Sequence, residues 1–294
     1  MNYPTLRQLE YLVALVEHNH FGRAAEAAHI SQPALSAQLR ELETRLDATL
    51  IERDRRASRP TPVGIEVARR ARLILGELDD LMAVAGTDRD ALYGTVRMAA
   101  IPTIAPYLFP TVTAAARVIW PDATLELSEL RSRELVDAVD HGAADIGLMA
   151  TPFDTGRLHV STVIEEDFVL AMPEHHDLAD GGPLPLSALA TLPVLLLEDG
   201  HCLHDHALAV CRLAGASDHA TVRSASLSTL TQMVAAGAGV TLLPTSALPV
   251  ETRPGTGISV RRFEPPAPSR TITLVWRTSD PRGSHYEHLA DRLR

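Results

Sequence analysis

The sequence predicts a helix-turn-helix domain followed by an α/β domain of two lobes. Three observations carry this. The first fifty residues hold three segments of helical apolar spacing, the second and third joined by a short turn. From Gly94 onward, apolar strand-like runs alternate with helical ones, the order that builds βαβ units and a mostly parallel sheet. The length, 294 residues, suits two domains, one of them bilobed.

Leu6, Leu9, Leu12, Val13 and Val16 recur at helical spacing and predict a first helix from Thr5 to His18. Phe21 to Ala28 forms a short alanine-rich helix, and His29-Ile30 a turn. Ser31 is a good N-cap, with Pro33 in the first turn of a third helix that runs to Leu46. Leu35, Leu39, Leu42 and Leu46 form its apolar face. Its polar face offers Gln32, Ser36, Gln38 and Arg40, and Ser31 and Pro33 complete the surface at the helix start. Gln and Arg reach base edges in a major groove, while Ser contacts phosphate or base. Arg53, Arg55, Arg56 and Arg59 follow in a loop suited to phosphate or minor-groove contact. Taken alone, the third helix fits a small bundle with a solvated face. The turn signature and the Arg cluster together favour double-stranded DNA.

Pro62-Val63-Gly64 opens a long helix from Gly64 to Val84, with Val67, Ala71, Ile74, Leu78 and Leu81 placed for a seam. Without an obvious partner in its own domain, it is expected to dimerise, because a helix-turn-helix reads two half-sites as a dimer. A rigid spacer lying on its own domain is the alternative.

The α/β half follows as VRMAAI, a helix after Pro102, TLELSEL, a helix from Arg133 to His141, and ADIGLMA. A second set begins near Phe168 with FVLAM and continues through PVLLL, a helix-like segment from Leu203 to Leu213, a helix from Ser226 to Ala236, and GVTLLP. A last strand, ITLVW, and a helix from Gly283 end it. A cleft is expected where the loops holding Thr103 and His201 leave their strands.

Net charge is −10, with 12 Arg against 14 acidic residues in the first 90 and 15 against 23 in the rest. That balance argues against a nonspecific nucleic-acid coat and allows a near-neutral domain with a local basic edge. All 27 basic residues are Arg. No apolar run approaches the roughly 18 to 20 residues of a membrane span, and no export signal is recognised at the N-terminus. A cytoplasmic chain is therefore expected, its thiols reduced and any disulfide transient.

The stretch from Pro193 to Arg212 concentrates the reactive chemistry. It holds the two cysteines of the sequence, Cys202 and Cys211, with His201, His204 and His206 beside them. Across a helix, nine residues rise about 13.5 Å and turn about 900°, which puts the two thiols on opposite faces. A disulfide needs Cα atoms within roughly 7 Å, so pairing requires the segment to unwind. A helix-start position and nearby imidazoles are expected to lower the Cys202 pKa. Thr103, Ser132 and His201 add hydroxyl and imidazole donors to the same half of the chain. Two other readings stay open: an inert buried cysteine at Cys211, and a zinc site using these histidines and cysteines, although their spacing matches no familiar closed motif.

With these residues in place, the chain resembles the LysR-type transcriptional regulators through FGRAAEAAHISQPALSAQLRELE followed by TPVG. Its second half resembles, more narrowly, the OxyR peroxide sensors. The motifs are IPTIAPYLFP, LLLEDGHCLHDHALAVC, SLSTLTQMVAAGAGVTLLP and the terminal LVWR and YEHLADRL. The paired cysteines are the most specific part, because generic LysR-type proteins lack them.

The resemblance implies a winged helix-turn-helix in residues 1–62, a linker and dimerisation helix in 63–90, and a periplasmic-binding-protein-like effector domain in 91–294. Lobe I would span about 91–165 and 269–294, and lobe II about 166–268. It implies a regulator that senses hydrogen peroxide, controls antioxidant genes as activator or repressor, and assembles as a homodimer and homotetramer. Cys202 matches the peroxidatic cysteine and Cys211 the resolving one, so oxidation would join them and refold the domain. Thr103 and His201 match groups that hold the peroxide, and Asp205 an acidic group in the reaction or its structural change. Ser132 stands where a Thr is usual, and His204 where an Arg is usual.

The implied partners are operator DNA and peroxide. RNA polymerase and a thiol reductant of glutaredoxin or thioredoxin type are further candidates. No cofactor, metal, membrane or enzymatic turnover is implied, since the thiol is consumed once per signal. The competing reading is a LysR-type regulator that binds a small organic effector between the lobes.

Overall fold

The computed structural model describes residues 3–53, 58–85, 92, 94–215, 223–224 and 226–294. Arg55 and Arg56 lie outside the described residues. The chain divides into two compact units, Met1–Gly94 with Asp140–Ala143, and Thr95–Val139 with Ala144–Arg294.

The first unit opens with α1 (Leu6–His18), α2 (Phe21–Ala27) and α3 (Gln32–Leu46). Thr5 starts α1 through a reciprocal capping box, its hydroxyl accepting from the Gln8 amide while Gln8 Oε1 accepts from the Thr5 amide. The Ser31 hydroxyl accepts from the Ala34 amide at 3.4 Å and caps α3 as the sequence predicts. β1 (Ile51–Arg53) and β2 (Ser58–Pro60) pair antiparallel, so Arg53 and Arg59, expected in a loop, lie on strands instead, because the backbone there pairs with itself. Leu12, Leu15, Leu35, Leu39, Leu42 and Leu50 fill the core.

α4 (Pro62–Ala85) begins where the Thr61 hydroxyl accepts from the Gly64 amide at 2.9 Å. Glycine is required there by close approach, since a Cβ would overlap the Leu50 carbonyl. The expectation that this helix finds no partner in its own domain is corrected. Ala68 and Ala71 belong to the core shared with α1, and Arg72 reaches Glu17 on α1 at 3.2 Å. Small alanine side chains let the two helices approach, a signal the seam pattern hides. Farther along, Ile74 is 49 % and Leu81 60 % exposed, so the outward half of the seam lies bare.

The second unit runs β3 (Gly94–Ala100), α5 (Ala105–Ile119), β4 (Ala123–Glu129), α6 (Ser132–Asp140), β5 (Ile146–Thr151) and β6 (Leu158–Pro173). It continues through β7 (Leu196–Leu197), α7 (Cys202–Leu213), β8 (Arg223–Ser224), α8 (Leu227–Ala235), β9 (Thr241–Pro244) and α9 (Leu248–Glu251). β10 (Ile258–Arg262), β11 (Ser269–Arg277) and α10 (Gly283–Leu293) complete it. The main sheet has the order β10-β6-β11-β5-β3-β4, with β9 also on β6.

A mostly parallel sheet is not what forms. β3 and β5 are parallel, but β11 is antiparallel to both β5 and β6, and β9 and β10 are antiparallel to β6. The reason is β6, sixteen residues long, which serves two lobes. Its first part, through Asp167, pairs with β11, and from Phe168 on it pairs with β9 and β10. The acidic run Glu165-Glu166-Asp167 hides the first part of this strand from a search for apolar runs. The second lobe's core gathers Phe168, Leu170, Leu195, Leu203, Val210 and Leu243.

Candidate functional site

α7 starts at Cys202, and its first turn decides the chemistry. His201 is the N-cap in extended conformation and gives no side-chain cap bond. Leu203, Ala207, Val210 and Cys211 face the second lobe's apolar core, with Cys211 6 % exposed. Cys202, 2 % exposed, turns the other way and lies against the Ala150 backbone at the end of β5 and the Ser132 hydroxyl at the start of α6. The opposite-face geometry expected from the spacing therefore holds. Both residues are thiols, not a disulfide.

The expected lowering of the Cys202 pKa is corrected. Burial pushes the thiol up, and the Asp205 carboxylate adds to that. The Arg270 guanidinium, the Ser132 hydroxyl and the Ala150 backbone act against it. The imidazoles supply no cation. Burial, and then the Arg131 charge, hold His201 below its ordinary value, and burial does the same for His206. Both stay neutral because a buried cation would lose its hydration.

Three polar atoms of this region are buried without a well-formed hydrogen bond: His201 Nε2, His206 Nδ1 and Ser132 Oγ, whose one polar neighbour is the Cys202 sulfur that it steadies as an anion. His201 Nε2 is 3.9 Å from Glu198, beyond hydrogen-bond reach, while Glu198 itself pairs with Arg131. His206 Nε2 lies 3.3 Å from the Pro152 carbonyl and so carries the proton, which leaves Nδ1 as a bare acceptor. Buried polar atoms are normally satisfied, so these three are unspent hydrogen-bonding capacity near the first turn of α7.

Thr103 lies in the turn before α5, whose N-cap is Ile104, so Thr103 is not its side-chain cap. Its hydroxyl accepts from Arg270 Nη1 at 3.2 Å, and its carbonyl accepts from Arg270 Nη2 at 3.2 Å. Arg270 is the residue that sequence reasoning missed. It stands on β11 directly opposite Glu166 on β6, and its Nε donates to Glu166 Oε1 at 2.6 Å. Ile272 pairs with Ala150, so Arg270 lies two positions beyond it on the same face, roughly 7 Å along the strand. Only the strand register could have revealed it, because an Arg among 27 carries no local signal.

Asp205 is exposed and lies in the first turn of α7. His204 holds the approach to that turn: Nδ1 donates to the Leu197 carbonyl at 2.8 Å, and Nε2 faces Asp199 at 3.1 Å. A neutral imidazole donates through one nitrogen and an imidazolium through both. Among the described residues, no three His, Cys, Asp or Glu side chains converge as a metal-holding group, because α7 turns Cys211 away from Cys202.

In the first unit, Gln32, Ser36 and Arg40 stand in one row of α3 at four-residue spacing, with Ser31 and Pro33 exposed at its start. Arg40 Nη2 donates to Ser36 Oγ at 3.1 Å. Gln38 lies off this row, and its Oε1 accepts from the buried Gln8 at 3.3 Å. Arg53 ends β1, and Arg59 is exposed on β2.

A helix-turn-helix with a flanking hairpin, joined to a two-lobed α/β domain that buries a thiol, defines a DNA-binding regulator with an effector domain. Residues 6–65 match the family model for bacterial regulatory helix-turn-helix proteins of the lysR family, and residues 89–294 match that for the LysR substrate binding domain. The chain belongs to the LysR family of transcription regulators. It is 41 % identical to a probable hydrogen peroxide-inducible genes activator of Streptomyces viridosporus over 292 residues, 99 % of this chain and 94 % of that protein. It superposes on a full-length OxyR of Pseudomonas aeruginosa carrying a Cys-to-Asp substitution with TM-score 0.83 and 34 % identity, covering 100 % of this chain and 96 % of that one. A Corynebacterium glutamicum OxyR Cys-to-Ser mutant with H2O2 bound gives TM-score 0.68 and 36 % identity, covering 100 % and 94 %.

Proposed function

We propose that this chain is a peroxide-responsive transcription regulator in which Cys202 is the peroxidatic thiol and Cys211 resolves it. The observation that supports this reading is the buried Cys202 thiol beside the Ser132 hydroxyl, with the buried His201, whose Nε2 has no hydrogen-bond partner, preceding it in the chain. Thr103 and Arg270 complete a polar wall on the same side. The Cys202 thiolate attacks one peroxide oxygen and the O–O bond breaks. The departing hydroxide takes a proton and leaves as water, and Cys202 becomes a sulfenic acid. The Cys211 thiolate then attacks that sulfur, the S–O bond breaks, and a second water leaves as the disulfide forms.

Because Cys211 starts in the apolar core, the second step requires α7 to unwind. Asp205, exposed in the first turn, takes part in that structural change. Operator DNA is read by Gln32, Ser36 and Arg40, with Ser31, Pro33, Gln38, Arg53, Arg55 and Arg56 supporting the contact. The chain works in the cytoplasm as a dimer through α4 and as a tetramer, and a cellular thiol reductant resets the disulfide. Among the described residues no helix is long and apolar enough to cross a membrane.

The test maps both cysteines by mass spectrometry before and after sub-stoichiometric peroxide, alongside an operator footprint. Two thiols should become one intramolecular disulfide and the footprint should change. A Cys202→Ser protein that responds to peroxide like the parent refutes the reading.

A further inference from the structure

Arg270 and Glu166 form a cross-strand ion pair, with the guanidinium 0 % and the carboxylate 3 % exposed. The pair sits where β6 passes from one lobe to the other, just before Phe168, which pairs with β9. Glu166 is held from both sides. Its Oε1 takes the Arg270 Nε, and its Oε2 accepts from the Ser246 backbone amide at 3.0 Å. Arg270 turns its other two nitrogens to Thr103. One permanent cation therefore serves a carboxylate on one side and the Cys202 environment on the other. A guanidinium does not lose its proton, so its charge can only be shared.

We propose that Glu166 is a positioning residue for Cys202: by neutralising part of the Arg270 charge and fixing its fork, it sets how much thiolate Cys202 carries. The proposal rests on Cys202 being the reactive thiol of the peroxide reading. With Glu166 in place, the guanidinium is largely compensated and the buried thiol stays protonated until something else stabilises the anion. Without the carboxylate, more of the Arg270 charge is left for the Cys202 thiolate, because Glu251, the other buried carboxylate near it, is already held by Tyr107, Ser228 and Thr231. The other groups that act on this thiol are Asp205, which opposes the anion, and the uncharged Ser132 hydroxyl and Ala150 backbone, which favour it; His201 and His206 nearby on the chain are neutral. None of them can replace Arg270 as counterion.

The experiment uses full-length protein bearing Cys211→Ser, so that Cys202 is the remaining thiol, and follows iodoacetamide alkylation across the neutral to alkaline range. In Glu166→Gln the midpoint should fall by about one pH unit, which is about tenfold more thiolate at neutral pH. In Arg270→Gln it should rise. In the Arg270→Gln background, Glu166→Gln should move it no further, because the effect passes through Arg270. A general loosening of the site would lower the midpoint in both backgrounds and overturn the proposal, as would an unchanged or raised midpoint in Glu166→Gln alone. If Glu166→Gln does not fold, Glu166→Asp keeps the charge and draws it back, and it should give a smaller fall. No fall there overturns the proposal equally. Peroxide treatment of the protein with both cysteines is scored separately. If no disulfide forms, the peroxide reading fails, while the midpoint results still decide the role of Glu166.

Discussion

Cys202 and Cys211 belong to one helix and face opposite ways: Cys202 lies against Ser132 and Ala150, while Cys211 is packed with Leu203, Ala207 and Val210 in the core of the second lobe. Nine helical residues separate them by about 13.5 Å, about twice the Cα span of a disulfide. A bond between them is incompatible with α7 as it stands.

Oxidation should therefore melt α7. Closing a ten-residue loop constrains the open chain by roughly 3 kcal/mol, enough to bias a segment whose core side chains are withdrawn. Hydrogen exchange of the amides from Leu203 to Cys211 should lose protection in the disulfide form and keep it in the reduced form. Retained protection with the disulfide formed would sink this.

Ser132→Ala removes one of the groups that favour the Cys202 thiolate, while burial continues to oppose it. The thiol should become less acidic, and oxidation at neutral pH should slow by about tenfold for every pH unit that its ionisation midpoint rises. Ser132→Thr keeps the hydroxyl and should restore the rate. Equal rates in all three proteins would remove Ser132 from the site.

His201 and His206 are held below the ordinary imidazole value of 6.5, so the unfolded chain binds protons that the folded one refuses. Their contribution to stability is present above that value and is lost as pH falls below it. Thermal unfolding at mildly acid pH should show a smaller drop for His206→Gln than for the parent, since the amide keeps a donor for the Pro152 carbonyl without gaining charge. An equal drop would contradict the assignment.

On α3, Arg40→Ala and Gln32→Ala should each weaken specific operator binding by about 1 to 3 kcal/mol. Gln38→Ala should cost less binding and more stability, because its carbonyl is engaged by Gln8. Arg55→Ala and Arg56→Ala should each reduce the salt slope of binding by about one and lower affinity evenly across sequences. Filter binding or fluorescence anisotropy at several salt concentrations separates the two kinds of effect. A sequence-specific loss at Arg55 would reverse the assignment.

Ile74→Glu with Leu81→Glu replaces exposed apolar side chains of α4 by charge and leaves the buried Ala68 and Ala71, which hold the helix on its own unit, unchanged. Sedimentation should show a lower oligomer with an unchanged helical spectrum. Unaltered self-association would exclude this face as the seam.

The local elements were legible in the chain before any fold was known. Caps, turn residues and apolar periodicity act within a few residues, so α1 to α4 and the helix starting at the EDGHC turn follow from spacing alone. The opposite facing of Cys202 and Cys211 was legible for the same reason, since helix geometry dictates it. Three other features arose only when distant segments met. The thiol's acidity turned on burial, which outweighs the helix start and leaves the neighbouring imidazoles neutral. Gln38 is off the row of Gln32, Ser36 and Arg40 by helix geometry alone, but that its carbonyl is occupied by Gln8, thirty residues away, was decided by the fold. Arg270 and Glu166 became neighbours only through the antiparallel register of β11 on β6, across 104 residues of chain. Long-range pairing of that kind leaves no periodic trace in the sequence, because each partner alone is an ordinary charged residue on a strand, and only the folded sheet buries the two together beside the thiol.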